Sequence, residues 1–178
     1  MTGPGSWEKH YASLRAREPY GDRASYEMAA EWMAGLDRVE DWGCGKGFLK
    51  TVMDNPAAYH GIDGSYTPFA EKITDLCTYK STAQGIVLRH VLEHSHQWPV
   101  ILANALQSFT KRLCIVLFTP LVDKTVLLHT EPDYDDVPVY SFAIDDLLAP
   151  IRRAGVHSSH QTVPGSFYGT ETVIRAWR

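Results

Sequence analysis

Two carboxylates, three glycines and three histidines carry most of the chemistry open to this sequence. Asp41 closes the short run Val39-Glu40-Asp41, and Asp63 closes His60-Gly61-Ile62-Asp63. Between them, Gly43, Gly45 and Gly47 alternate with Cys44 and Lys46. Further on, His90, His94 and His96 follow Arg89 closely, with Glu93 among them. A carboxylate at the end of a strand can accept a pair of hydroxyls or hold a cation. Glycine tolerates positive φ and lets a ligand approach the backbone. Histidine titrates near neutral pH, which suits a general base or a metal ligand.

These groups need elements to position them. The glycines read as the tight turn between a strand over 39–42 and a helix resuming at Phe48, whose first amides form a seat for negative charge. The spacing is G-x-G-x-G. The dinucleotide fingerprint needs G-x-G-x-x-G, and its third glycine falls on Phe48, so a nicotinamide cofactor is disfavoured. Asp63 ends a second strand, twenty positions after Gly43 (63 − 43), where an acidic residue binds ribose in βαβ nucleotide sites. His90-Val91-Leu92-Glu93-His94 also matches H-x-x-E-H, the zinc motif of inverzincin proteases. That chemistry needs both histidines on one helix turn. Here the motif follows a buried strand, where the chain emerges into a loop, and no third ligand stands out. No metal is expected.

The G-x-G-x-G turn, the paired Asp41 and Asp63, and Val91-Leu92-Glu93-His94 together resemble the class I S-adenosylmethionine-dependent methyltransferases, in particular those acting on small molecules. The resemblance runs from Asp37 to Arg178. It implies S-adenosyl-L-methionine as cofactor, with Asp41, Gly43, Cys44, Gly45 and Gly47 around its methionine part. Asp63, Gly64 and Ser65 fall at the ribose, Asp75 and Leu76 at the adenine. Arg89 and His90 border the methionine end, and His94, with His90, is the catalytic candidate. The N/D-P-P-Y/F tetrapeptide of the DNA amino-methyltransferases is absent, so a hydroxyl deprotonated by a base fits better as acceptor. The alternative is a non-catalytic domain that binds S-adenosylmethionine or S-adenosylhomocysteine as a partner or regulatory unit.

At 178 residues the chain suffices for one domain with a sizeable core, read as a helical N-terminal cap over 1–36 and an α/β core over 37–178. The expected fold is a doubly wound, mostly parallel, Rossmann-like sheet with an antiparallel final strand. Helices are expected around Trp7–Tyr11 and Ser25–Met33, with a turn at Pro19–Asp22. The cap aromatics Trp7, Tyr11, Tyr20, Tyr26 and Trp32 pack on the sheet or line a lid, with packing preferred. Ser65 and Pro68 suit a helix start; residues 73–77 form a weak third strand or its trailing loop. Gln84–Leu88 reads as a buried strand. A helix over Trp98–Phe109 turns Val100, Ile101, Leu102, Ala105, Leu106 and Phe109 inward, and Arg112–Phe118 is the clearest strand. Residues 121–129 read as a strand or flap, followed by an acidic loop with Glu131, Asp133, Asp135 and Asp136. A helix from Ile144 to near Gly155 and strands over 156–163 and 171–177 complete the chain.

Net charge is −4 and no Lys/Arg run exceeds two residues, which argues against a nucleic-acid surface. Cys44, Cys77 and Cys114 are odd in number and lack C-x-x-C spacing, so reduced thiols and a cytoplasmic location are expected. No apolar run approaches a membrane span or a secretion signal. The implied partner is a small-molecule acceptor. Oligomeric state leaves no mark on the sequence.

Overall fold

The computed structural model describes residues 6–12, 14–134 and 136–178. The chain begins with helices α1 (Ser6–Ala12) and α2 (Ala24–Trp32), then enters the sheet at β1 (Val39–Trp42). The one-turn helix α3 (Leu49–Val52) leads to β2 (Tyr59–Asp63), β3 (Lys72–Ile73) and β4 (Gly85–Arg89). Next come α4 (Trp98–Ser108), β5 (Arg112–Leu117) and the pair β6 (Val126–Glu131) and β7 (Val137–Ser141). The chain closes with α5 (Ile144–Arg153), β8 (His157–Ser166) and β9 (Gly169–Trp177).

Seven strands form one sheet in the order β3-β2-β1-β4-β5-β9-β8. β1, β2, β3, β4 and β5 run parallel, and β9 lies antiparallel between β5 and β8. The fold is therefore the expected α/β sheet, mostly parallel, with the last strand reversed. Its central strands β4 and β5 are short and mostly apolar because both their faces are covered, and β1, buried throughout, carries Glu40 and Asp41 between Val39 and Trp42. One face packs under α4 and α5 through Leu88, Ile101, Leu113, Phe142 and Leu147. The other packs under α2 and α3 through Met33, Val39, Leu49, Val87 and Val116. In α5, Asp145 and Asp146 lie in the first turn and Arg152 and Arg153 in the last, matching the helix dipole while Leu147 and Ile151 go inward.

Parallel register sets the site. Asp41 pairs across from Gly61 and Val87, so Asp41, Asp63 and Arg89 all reach the same, C-terminal, edge of the sheet.

Two expectations need correction, on the helix start and on Val100, and two open ones are settled. Ser65 and Pro68 start no helix: the chain doubles back instead, with Glu71 N–H donating to Gly61 O at 2.8 Å and Thr67 Oγ1 donating to Gly45 O at 2.6 Å. Pro68 also disfavours helical backbone in the residue before it. Of the two readings for residues 73–77, the trailing loop holds: the third strand is Lys72–Ile73 and Asp75 lies in the loop beyond. Val100 is 42% exposed, because the buried stripe of α4 runs through Ile101, Leu102 and Ala105. Of the two readings for residues 121–129, the strand holds: residues 126–131 form β6, which pairs with β7 in a separate two-stranded hairpin. Asp135 of the acidic loop and Met1 to Gly5 lie outside the described residues.

Candidate active site

The glycine turn is shaped by what presses on it. Gly43 has φ +75°, and a Cβ there would lie 2.5 Å from Val91 Cγ2. Val91 reaches that spot because His90, at the end of β4, adopts φ 56°, a left-handed conformation rare for a residue with a Cβ. Gly45 has φ +48°, and its missing Cβ faces Tyr11 Oη and Tyr20 Cε2, each at 3.2 Å. Gly45 N–H donates to Asp63 Oδ2 at 2.8 Å, and its carbonyl accepts from Thr67 Oγ1. Thr67, fully interior, had no sequence signal. The helix that follows is a single turn, so the dipole seat for an anion expected after the glycines is absent.

Asp63 is held by backbone. Besides Gly45, Ser65 N–H donates to Oδ1 at 2.9 Å. Burial pushes its pKa up, offset in part by the amides of Ser65, Gly45 and Gly64. Each oxygen keeps a lone pair for a further donor. Asp41 accepts from Tyr59 Oη at 3.0 Å, and burial lifts its pKa to about 7, against the Tyr59 hydrogen bond and with the charge of Asp63 adding to the rise. Burial also pushes the Cys44 thiol well above its ordinary range.

Above this loop lies a cavity of about 450 Å³, within the ~300–1,000 Å³ typical of small-molecule sites. All the expected site residues line it except Gly45 and Gly47. One end is walled by Asp63, Gly64, Ser65, Asp75 and Leu76. The exposed Asp75 turns its Oδ1 toward Cys77 N–H at 2.8 Å. The roof is aromatic. Trp7, Tyr11, Tyr20 and Tyr26 come from the N-terminal segment, so these cap rings contribute to the cavity as well as to packing. Trp32 does not; it sits at the opposite end of the sheet. Trp7 packs on Tyr134 at 4.6 Å between centroids, tying α1 to the β6–β7 hairpin.

The other end is organised by Glu171, which sequence reasoning missed. It is fully buried on β9, and its Oε1 accepts from Ser25 Oγ at 3.0 Å, Arg89 Nη2 at 3.1 Å and His90 Nε2 at 2.7 Å. Burial opposes its ionisation, but the His90 hydrogen bond and the Arg89 charge outweigh this and hold its pKa below the usual range. Arg89 also donates through Nε to Ser25 Oγ and through Nη2 to Tyr20 O, and its guanidinium lies 3.8 Å over the Tyr26 ring. With Nη1 near His90 Nδ1 at 3.3 Å, four of the five guanidinium hydrogens (~5 per Arg) are engaged by the protein.

The two histidines differ. His90 donates from Nε2 to Glu171 and accepts at Nδ1 from Arg89, so neither ring nitrogen is left to take a proton from a ligand. Burial lowers its pKa to about 4, against the pull of Glu171. His90 lines the cavity with both ring nitrogens engaged by the protein, which sets it apart from His94 as a candidate base. His94 donates from Nδ1 to Pro138 O at 3.2 Å, since a carbonyl only accepts; this fixes the tautomer with Nε2 as acceptor. Burial lowers its pKa. Phe118 and Trp7 flank its ring at 5.3 and 5.8 Å. Neighbouring Glu93 accepts from Phe118 N–H at 2.7 Å, and burial raises its pKa to about 8. His96 bonds Tyr140 Oη. The H-x-x-E-H residues therefore point to separate partners, and no cluster of three metal-type side chains occurs among the described residues.

No protein-family model matches the sequence, and no curated protein does. Solved structures share the fold. The chain is similar to 1,6-didemethyltoxoflavin-N1-methyltransferase of Burkholderia thailandensis, solved with 1,6-didemethyltoxoflavin and S-adenosylhomocysteine. The TM-score is 0.66 at 19% identity, covering 88% of this chain and 79% of that one. It is also similar to the magnesium protoporphyrin IX methyltransferase of Synechocystis with bound S-adenosylhomocysteine (TM-score 0.64, 14% identity, 97% and 93% covered). An O-methyltransferase family protein of Burkholderia thailandensis aligns at TM-score 0.63 and 14% identity over 88% of this chain and 55% of that one. At such identities the likeness is one of fold: a mostly parallel sheet with a reversed strand between its fifth and outermost members.

Proposed function

We propose that the chain is an S-adenosylmethionine-dependent methyltransferase acting on a hydroxyl group of a small molecule. The observation that carries this reading is the arrangement along one cleft: Asp63 and the glycine turn on one wall, a neutral His94 with an open Nε2 on the other. Neighbours of the same fold solved with S-adenosylhomocysteine support the cofactor.

The residues fit that cofactor. Asp63 would accept the two ribose hydroxyls on its remaining lone pairs. Asp75 and Leu76 would border the adenine. Asp41 and the strained turn at Gly43 and Cys44 would hold the methionine part. Arg89 keeps one N–H for that end, so its contribution to binding is smaller than its place in the resemblance implies. Asp41, Asp63, Asp75 and Glu131 line the cavity against the single Arg89, itself tied to Glu171, which favours a cationic ligand. When bound, S-adenosylmethionine supplies an electrophilic methyl group on a sulfonium.

The chain's own residues then do two things. Trp7, Tyr134, Phe118 and Tyr168 exclude water and offer flat apolar walls, which suit a planar acceptor. His94, its tautomer set by Pro138, would take the hydroxyl proton at Nε2, and the cleft holds the oxygen in line with the methyl. A second reading, binding without turnover, draws on the lowered basicity of His94.

Melting the protein with S-adenosylmethionine, S-adenosylhomocysteine and plain nucleotides tests the cofactor; a methyl-release assay on hydroxylated small molecules tests turnover. His94→Ala should lower turnover by roughly 10²–10⁴-fold with cofactor affinity unchanged. Wild-type turnover should rise through a pKa below the ordinary histidine value and level off above it, and that rise should vanish in the variant. Cofactor binding with no release on any acceptor would favour the second reading.

A further inference from the structure

We infer that the far end of the sheet carries a second ligand site, one that takes the oxyanion group, carboxylate or phosphate, of a small molecule. The site is a cavity of about 360 Å³ lined by Glu31, Trp32, Arg112 and Arg175. Trp32 ends α2, Arg112 opens β5, and Arg175 on β9 pairs across from Cys114. It therefore lies toward the N-terminal ends of the parallel strands, opposite the cleft described above, and no residue lines both.

Its cations are built in and largely unspent. Arg112 Nη1 donates to Trp32 O at 2.8 Å and to Ala34 O at 2.9 Å, which uses both hydrogens of that nitrogen and orients the group. Its Nε and Nη2, the side-on fork that matches an oxyanion, have no partner among the described residues. The Arg175 side chain makes no hydrogen bond or ion pair among the described residues, and its Nε is buried without an acceptor. Buried donors are almost always satisfied, so such a group calls for an acceptor. Both guanidiniums lie against the Trp32 ring, at 5.4 and 5.6 Å from its centre. That ring is itself fixed by Nε1–H donating to Leu113 O at 3.2 Å and by Trp177 edge-on at 5.8 Å. Two planar, pre-oriented guanidiniums on an aromatic floor suit bidentate binding of carboxylate or phosphate. Glu31, exposed at the rim, is the acid that lines the site; its charge opposes an anion and holds the affinity down.

The test titrates the full chain with sodium phosphate and, separately, sodium acetate, against chloride at matched ionic strength, following melting temperature and tryptophan emission. Wild type should give a saturable response to one or both that chloride does not reproduce; phosphate alone assigns a phosphate group, acetate alone a carboxylate. Arg175→Gln should weaken that binding by about tenfold or more, and Glu31→Gln should tighten it. Where Arg175→Gln does not fold, Arg175→Lys serves, since it keeps the charge and loses the fork. Unchanged affinity in the Arg175 variant, or a response no larger than that to chloride, overturns the inference.

Discussion

The two walls of the cleft hold their carboxylates by different means. Asp63 is gripped by backbone amides, Gly45 and Ser65, close to it in the chain. Glu171 is gripped by the side chains of Ser25, Arg89 and His90, which come from α2 and the end of β4. A backbone cradle survives loss of the carboxylate, because the turn is also pinned by Thr67 and by Gly43 and Cys44 amides on Ile62 O. A side-chain network fails as a unit, because removing its anion strands a buried cation. The Asp63 cradle is therefore free to serve a ligand, while the Glu171 network is committed to holding the fold.

The largest effect should come at the second wall. Glu171→Ala leaves Arg89 buried beside no anion and should cost about 3–5 kcal/mol of stability, read by urea denaturation. Glu171→Gln should cost less, since Ser25 and Arg89 keep an acceptor. A small loss in the alanine variant would show that the network is not one unit.

Next in size, Asp63→Ala should weaken S-adenosylmethionine by about 10- to 100-fold in calorimetry, while stability drops only by about the ~1–3 kcal/mol of two freed amides. A folded variant with wild-type affinity would erase the functional half of the comparison.

The walls should also separate by pH. His90 falls from the ordinary 6.5 to about 4 in the fold. Between those values the unfolded chain binds the extra proton, so His90's contribution is whole above pH 6.5 and is lost as pH falls toward 4. Glu171, held below its ordinary 4.5, adds to the loss at still lower pH. Glu93 has the opposite sign: with its pKa raised from 4.5 to about 8, its contribution is whole below pH 4.5 and is lost as pH rises through 8. Asp41, raised to about 7, has the same sign as Glu93, so melting temperature against pH should fall on both sides, and Glu93→Gln should make the alkaline side shallower while leaving the acid side alone. An unaltered alkaline slope in that variant would remove Glu93 from the balance.

The smallest effect is a control. Gly35 has φ +76° but nothing within 4 Å of its missing Cβ, so Gly35→Ala should cost about 1–2 kcal/mol and leave cofactor affinity alone. Weakened binding there would mean that general loosening, rather than the Asp63 cradle, governs affinity.

The first wall was legible in the sequence because it is local. Strand, glycine turn and the next strand's terminal acid lie within about one βαβ unit, and their spacing states the geometry. The second wall was not, because Ser25 and Glu171 are 146 positions apart and no pattern links them. Arg89 and His90 were found by position, but their tie to Glu171 was not, because that partner is remote. Ser65 and Pro68 carried a real helix-start preference, overridden by Thr67 reaching Gly45 O. Val100 fell on the apolar side of α4 by residue type alone. The aromatic cap rings were visible, yet whether Trp7 packs inward or roofs a cavity depends on Tyr134, far along the chain. β4 and β5 were the most readable strands of the sheet, since buried parallel strands announce themselves as short apolar runs.

The placement of β9 has a consequence for the nascent chain. β5 pairs with β4 on one side and with β9 on the other, although β6, β7, α5 and β8 are all made in between. Chain growth at roughly 5–20 residues per second leaves about 3–10 s between completion of Leu117 and emergence of Gly169. During that interval the apolar edge Leu113-Cys114-Ile115-Val116-Leu117 has no outer neighbour, and open edges of this kind recruit other strands. β8, which in the finished sheet runs parallel to β5, is synthesised first and competes for that edge. Closure of β8 and β9 as a hairpin before docking would keep β8 off that edge and leave it to β9, and Tyr168 in the turn of that hairpin also lines the cleft.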